Sequence, residues 1–368
     1  MPTTIDEVIR QRYATQHLTS APMADAASVV RRLLCVQAQD APLSRYSIGL
    51  RTGDATDDAV GAALDAGVLV RTHILRPTWH VVAAEDLRWV LALTSAKVES
   101  ALAARHRQLG LDTALLDRAF ATLGELLRDR HVLTAPEIGA AFGEVGLPTV
   151  GEQVRHLLLV AEIRGLVCSG PRRGGAHAYG LVDELVAPAP APTLQRADAR
   201  RQLVGRFFAG HGPASERDLL RWTTLTLTEI RAALADLRDD LATVTVDGTT
   251  LWFDRATVVD DDPDRRALLL PAFDEGYLSY ATLDVPRAPG HPWGTEPYHF
   301  AESGGGVVVC DRRDVGWWKR KETGRSAMTV SLWLANSVDA EQRASVAAEA
   351  ARLAAFFGRE LRLVLADG

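Results

Sequence analysis

Apolar positions along the chain fall first at helical spacing and then in alternation, and this switch of period recurs. Thr4-Ile5-Asp6-Glu7 forms a capping box that opens a helix with Ile5, Val8 and Ile9 on one face. A second helix is predicted from Ala24 to about Val36, with Val29, Val30, Leu33 and Leu34 on its apolar face, and further helices near Leu43–Arg51 and Ala59–Asp65. Val68–Thr72 and Thr78–Val82 then read as two strands around a turn at Ile74–Pro77.

The same order returns. Thr134-Ala135-Pro136-Glu137 opens a helix with Thr as cap and Pro just inside. Gly151–Arg164 is a strongly apolar helix, and Leu166–Cys168 and Ala178–Leu181 are strands flanking the turn Gly170-Pro171-Arg172-Arg173-Gly174-Gly175. Pro188-Ala189-Pro190-Ala191-Pro192 reads as a linker. Pro213-Ala214-Ser215-Glu216 opens a third round, with a helix to Trp222, another from about Thr228 to Leu237, and the strands Ala242–Val246 and Thr250–Phe253 joined at Asp247-Gly248. Helices followed by a hairpin is the winged-helix order, so the expected fold class is α+β with three tandem winged-helix motifs. A strand-rich segment follows over roughly 266–335, and Val338–Phe357 is a terminal amphipathic helix. By motif the chain divides into residues 1–85, 86–187 (connecting helices and the second winged helix), 188–258 and 259–368.

With 368 residues, 47% hydrophobic and 24% charged, the chain has enough apolar material for a sizeable core. Cys35, Cys168 and Cys310 are odd in number and far apart, which argues against a disulfide framework, and no C-x-x-C pair suggests a structural metal. The N-terminal stretch has no apolar region of the secretory kind, and no run of about 18 apolar residues occurs. A cytoplasmic location is the expectation. Neither a metal nor a cofactor is called for.

A net charge of −6 argues at first against a nucleic-acid partner. Its distribution reverses that. Eight aspartates against Arg255 give Asp239–Asp264 a local −7, so the remainder of the chain is +1. Bases gather at turns: Arg172-Arg173 between glycines, and Asp311-Arg312-Arg313-Asp314 joining Val307–Cys310 to Val315–Trp318, with Lys319-Arg320-Lys321 behind it. The candidate DNA contacts are these residues together with Arg71 and Arg76 of the first hairpin. The acidic stretch is expected to face away from DNA.

The chemical candidate is Val36-Gln37-Ala38-Gln39-Asp40, between a helix and Pro42. On a helix the two amides would diverge by about 200°. In an extended stretch they share a face, and Pro42 biases the chain away from helix there. Two carboxamides converging on one site can position a water molecule, because each oxygen accepts and each NH2 donates. Neither is a strong base, so such a pair serves only where the leaving group needs little help. A polar helix end is the alternative role for the same residues.

These residues carry a resemblance. The chain resembles the AlkZ/YcaQ family of winged-helix DNA glycosylases, whose members remove alkylated bases and unhook interstrand crosslinks. The likeness runs through Gln37-Ala38-Gln39, Leu75–Val82, Gly212-Pro213-Ala214 with Trp222, Leu269–Glu275 and Val315-Gly316-Trp317-Trp318. A glutamine rather than an aspartate at position 39 resembles the AlkZ-type branch. The resemblance implies a C-shaped monomer with a central channel for duplex DNA, in a bacterial cytoplasm. It further implies Gln37 and Gln39 as the catalytic pair, a minor-groove hairpin placed here at Val307–Trp318, and self-resistance to a DNA-alkylating toxin. Arg312-Arg313 departs from the tighter Asp-Gly turn expected there.

Two other readings compete. One is a non-enzymatic DNA-binding regulator. The other is a hydrolase acting through Asp40, His80 or Asp274-Glu275; acids such as this last pair, following an apolar strand, often cap or pair with arginine. His73 and Trp79 read as core groups. No lysine stands near the glutamines, Lys97 being the nearest in sequence, so a Schiff-base lyase step is not expected.

Overall fold

The computed structural model describes all residues except 1, 54, 150, 174–175, 189–193, 258–265, 283, 293–303, 325 and 367–368. Much of the acidic stretch, Asp260, Asp261, Asp262 and Asp264, and most of the proline linker lie outside the described residues.

Helix α1 (Ile5–Thr15) starts at the expected capping box, with Thr4 and Glu7 bonding each other's main chain. The first round follows as α2 (Ala26–Leu33), β1 (Cys35–Gln37), α3 (Ala41–Gly49), α4 (Asp57–Asp65), β2 (Leu69–His73) and β3 (Trp79–Ala83). After the long α5 (Ala84–Gln108), the second comprises α6 (Thr113–Leu126), β4 (Leu133–Thr134), α7 (Ala135–Glu144), α8 (Gly151–Ile163), β5 (Val167–Ser169) and β6 (Ala178–Leu181). Past α9 (Val182–Leu185), the third comprises α10 (Arg196–His211), α11 (Glu216–Trp222), α12 (Leu227–Asp236), β7 (Leu241–Val246) and β8 (Thr249–Asp254). Its small first strand is reduced to a bridge between Ala214 and Trp252. The C-terminal part is β9 (Ala267–Pro271), α13 (Glu275–Leu278), β10 (Gly305–Cys310), β11 (Arg313–Thr323), β12 (Ala327–Leu334), α14 (Ala340–Phe356) and β13 (Glu360–Leu365). The fold is α+β, and the order helix, strand, helix, helix, hairpin occurs three times.

The chain forms two compact units. One comprises 1–61, 204–222 and 227–368; the other comprises 62–203 and 223–226. In the first, five strands form a sheet in the order β13-β12-β11-β10-β9. Glycines let its centre close up: a Cβ on Gly306 would lie 1.9 Å from the Leu270 carbonyl oxygen, and one on Gly316 the same distance from that of Trp333. Trp317 and Trp333 pair across β11 and β12 and stack at 3.7 Å. In the second unit, α6, α7 and α8 bury Leu123, Ile138, Phe142, Leu157 and Leu158 around a three-stranded sheet ordered β4-β6-β5.

The three cysteines are buried and take part in no disulfide. No helix among the described residues is long and apolar enough to cross a membrane.

Candidate active site

The chain reaches Gln37 through a strained corner. Leu34, which caps α2, has φ 66° and ψ −53°. That is the left-handed form of the γ-turn, which a non-glycine residue adopts at a cost of about 1–3 kcal/mol. Complete burial of the Leu34 side chain offsets the strain, and the turn sends the chain straight from helix into β1. Helix α10 abuts this corner through Gly210, where a Cβ would lie 2.4 Å from the Arg32 carbonyl oxygen. On the far side Asp40 caps α3, its Oδ1 accepting the Leu43 N–H at 2.9 Å. Asp40 is thereby a structural cap; Gln37 ends β1 and Gln39 lies in the short break before α3. Gln37 is buried and Gln39 exposed.

Beneath Gln37 lies a polar network. Its main-chain N–H donates to Glu275 Oε1 at 2.9 Å. The other carboxylate oxygen accepts from Trp222 Nε1 at 2.9 Å and from Ser279 Oγ at 2.5 Å, and His211 Nε2 lies 3.5 Å from it. Burial by itself would raise the Glu275 carboxyl, but the His211 imidazole, the Ser279 hydroxyl and the Gln37 amide outweigh it and hold the group at about 2. Asp274 is engaged by Arg51 in a two-pronged pair at 2.8 and 2.9 Å, by Ser47 Oγ at 2.5 Å and by the Gly276 N–H at 2.7 Å. Arg51 also donates to Gln16 Oε1, and Gln16 Nε2 to the Glu275 carbonyl and the Tyr280 hydroxyl. Arg51 and Asp274 are 1% and 0% exposed, so this is a buried ion pair with both carboxylate oxygens engaged, although the Arg51 Nε has no hydrogen-bond partner among the described residues. Neither Asp274 nor Glu275 reaches solvent as a hydrolytic acid would need to.

Gln37, Asp40, Ser44 and Ser47 line a depression walled by Leu43, Pro271, Ala272 and Phe273. Strand β11 contributes Arg320, whose charge acts on Asp40 and Asp57 and whose guanidinium lies 4.4 Å from the Phe357 ring. Lys319 packs over Trp317, and Lys321 is exposed.

Other expected DNA contacts are occupied differently. Arg71 is buried, donating to His177 Nδ1 at 2.9 Å and lying over the Trp79 ring. Beside it His73 and Trp79 both bond Glu162, and burial followed by the charges of Arg71 and His73 lowers His177 to about 3. Arg76 is half-buried, 3.5 Å from Nε2 of the buried His80. Arg172 pairs with Asp65 and Arg173 with Glu137. The segment Val307–Trp318, expected to project as a hairpin, lies inside the sheet, flanked by β9 and β12. Asp311 and Arg312 form its two-residue turn, with φ 47° and 61°. Arg266 holds Asp311 and Glu341, and Arg313 pairs with Asp6, which leaves Arg312 as the exposed base at that end.

A family model described as DNA glycosylase AlkZ-like matches residues 30–356. The chain belongs to the AlkZ-like DNA glycosylases. Among solved structures, the Streptomyces sahachiroi DNA glycosylase AlkZ is similar, with a TM-score of 0.74 over 99% of this chain and 100% of that one. At 21% identity the likeness is one of fold. No curated protein matches. The span matched to the AlkZ-like family contains both segments that meet in the Gln37–Glu275 bond.

Local sequence marks Gln37 and Gln39 but not the residues that support them. Gln16, Ser47, Arg51, His211 and Ser279 carry no local signature. The one available signal was a fully apolar strand, Ala267–Pro271, running almost directly into two acids.

Proposed function

We propose that this AlkZ-like protein is a monofunctional DNA glycosylase that acts as a monomer on duplex DNA. It hydrolyses the N-glycosidic bond of cationic N7-alkylated purines, including those in interstrand crosslinks. The observation that carries the reading is the placement of Gln37 at the end of β1 and of Gln39 in the break before α3, with the Gln37 main chain fixed by Glu275. The two carboxamides accept the protons of one water molecule and hold it below the sugar. An N7-alkylated purine already carries positive charge and departs as a neutral base. The sugar passes through an oxocarbenium-like state that the water then captures, as in other glycosidic cleavages. An unmodified purine lacks this leaving-group advantage and is spared. A base tethered to the opposite strand cannot be drawn fully into a closed pocket, and the shallow depression at Gln37 makes no such demand.

For the DNA-facing hairpin, β11 and β12 suit the role better than Val307–Trp318, since β11 carries Lys319, Arg320 and Lys321, the Arg320 charge acting on Asp40 of the Gln37 depression, whereas the other turn is held by ion pairs. The chemistry fits a role in self-protection against a DNA-alkylating toxin.

The test is a duplex carrying one N7-methylguanine. The expected product is an abasic site, revealed as a break only after alkali. A crosslinked duplex should be unhooked in the same assay. Binding without base release would support the regulator instead.

A further inference from the structure

We propose that the Glu275 carboxylate acts on the reaction as a fixed buried anion behind Gln37, favouring the positive charge that passes from the alkylated base to the sugar. This rests on the glycosylase reading. No bond forms to Glu275 and no proton reaches it; it is a positioning residue in the electrostatic sense.

The two adjacent acids differ. Asp274 is matched by an arginine at hydrogen-bonding distance through both oxygens. Glu275 is not: its hydrogen-bond donors are the neutral Gln37 N–H, Trp222 indole and Ser279 hydroxyl, and the titratable group facing it is His211 at 3.5 Å. His211 Nδ1 is turned toward the Phe207 carbonyl at 3.3 Å. A structural tether for Gln37 needs only a hydrogen-bond acceptor, which a neutral amide supplies. A carboxylate at 1% exposure adds a charge that water screens poorly. That charge stands one hydrogen bond from the main chain of a glutamine assigned to the attacking water. Preorganised charge of this kind favours the transition state without reorganising during the reaction. It also gives a reason for a preference for cationic lesions that resides in the protein, beyond the lesion's own lability.

Charge can be separated from shape. In Glu275→Gln the amide oxygen still accepts from Gln37, and Ser279 Oγ can accept from the new NH2, but that NH2 would oppose the Trp222 indole N–H. Trp222→Phe removes the conflict. The comparison is therefore between W222F and W222F/E275Q, so that whatever W222F does by itself cancels. Single-turnover base release from N7-methylguanine duplex, DNA affinity and melting temperature are measured for both. The expected result is a base-release rate at least tenfold lower in the double variant, about 1.4 kcal/mol in barrier, with affinity unchanged and both variants folded at the assay temperature. Equal rates overturn the proposal. Where the double variant melts below the assay temperature, E275D and E275Q are compared in the wild-type background. E275D keeps the charge and should release base at least ten times faster than E275Q, and an equal loss in both overturns the proposal. A wild-type protein that released no base would overturn this inference together with the glycosylase reading; an active wild type with equal variant rates overturns the inference alone.

Discussion

The main-chain amide of Gln37 donates to the carboxylate of Glu275 at 2.9 Å, across 238 positions of sequence. Because the Glu275 carboxyl sits at about 2 in the fold, against an ordinary 4.5, the native state binds fewer protons than the unfolded chain between those values. Its stabilising contribution is therefore complete above about pH 4.5 and is lost as pH falls through about 2. Denaturant unfolding of wild type and Glu275→Gln should show a stability gap that is constant above pH 5 and narrows toward pH 2. A gap that widens on acidification would contradict the assignment.

Arg51 and Asp274 form the second anchor of the same turn. Removing one partner leaves a buried charge alone, so Arg51→Met should cost roughly 3–5 kcal/mol in equilibrium unfolding. Arg51→Met combined with Asp274→Leu removes both charges and should recover a large part of that loss. A single substitution costing under about 1 kcal/mol would show that the pair is not buried as described.

Gly210 and Gly124 make a matched pair of helical glycines. A Cβ at Gly210 meets the Arg32 carbonyl at 2.4 Å, whereas one at Gly124 in α6 meets nothing within 4 Å. Gly210→Ala should destabilise by about 1–3 kcal/mol through overpacking at the Leu34 corner. Gly124→Ala should leave stability unchanged or raise it by up to about 1 kcal/mol. Thermal unfolding of the two variants reads this difference directly, and equal melting temperatures would refute it.

DNA affinity should fall steeply with salt despite the net charge of −6, and the bases should separate by their surroundings. Lys321 is exposed on β11, so Lys321→Ala should weaken binding uniformly across sequences and reduce the salt slope by about 1. Arg71 is buried between His177 and Trp79, so Arg71→Ala should lower the melting temperature and leave the salt slope unchanged. Fluorescence anisotropy over a salt series distinguishes the two.

Local chemistry made much of the fold legible. The capping boxes at Thr4 and Thr134 open helices where expected, Asp247-Gly248 forms the turn between β7 and β8, and the order of elements recurs three times. The break that follows Gln37 was legible from Pro42, which takes an early position in α3. The support of the site was not, because Arg51 meets Asp274 across 223 positions and Trp222 meets Glu275 across 53, and neither spacing has a period. Basic turns also hold pairings that local sequence does not show. An arginine at a turn looks free in sequence, yet Arg172, Arg173 and Arg313 each find a carboxylate elsewhere in the chain. Arg71, a candidate DNA contact, is buried with the rest of β2, and alternation alone does not show that all five residues of that strand are buried.

The most direct test of the catalytic assignment is single-turnover base release from duplex N7-methylguanine by wild type and by Gln37→Ala/Gln39→Ala. Removal of both carboxamides should slow release at least a hundredfold, with duplex affinity within threefold of wild type. Release at the wild-type rate by the double variant would contradict the account.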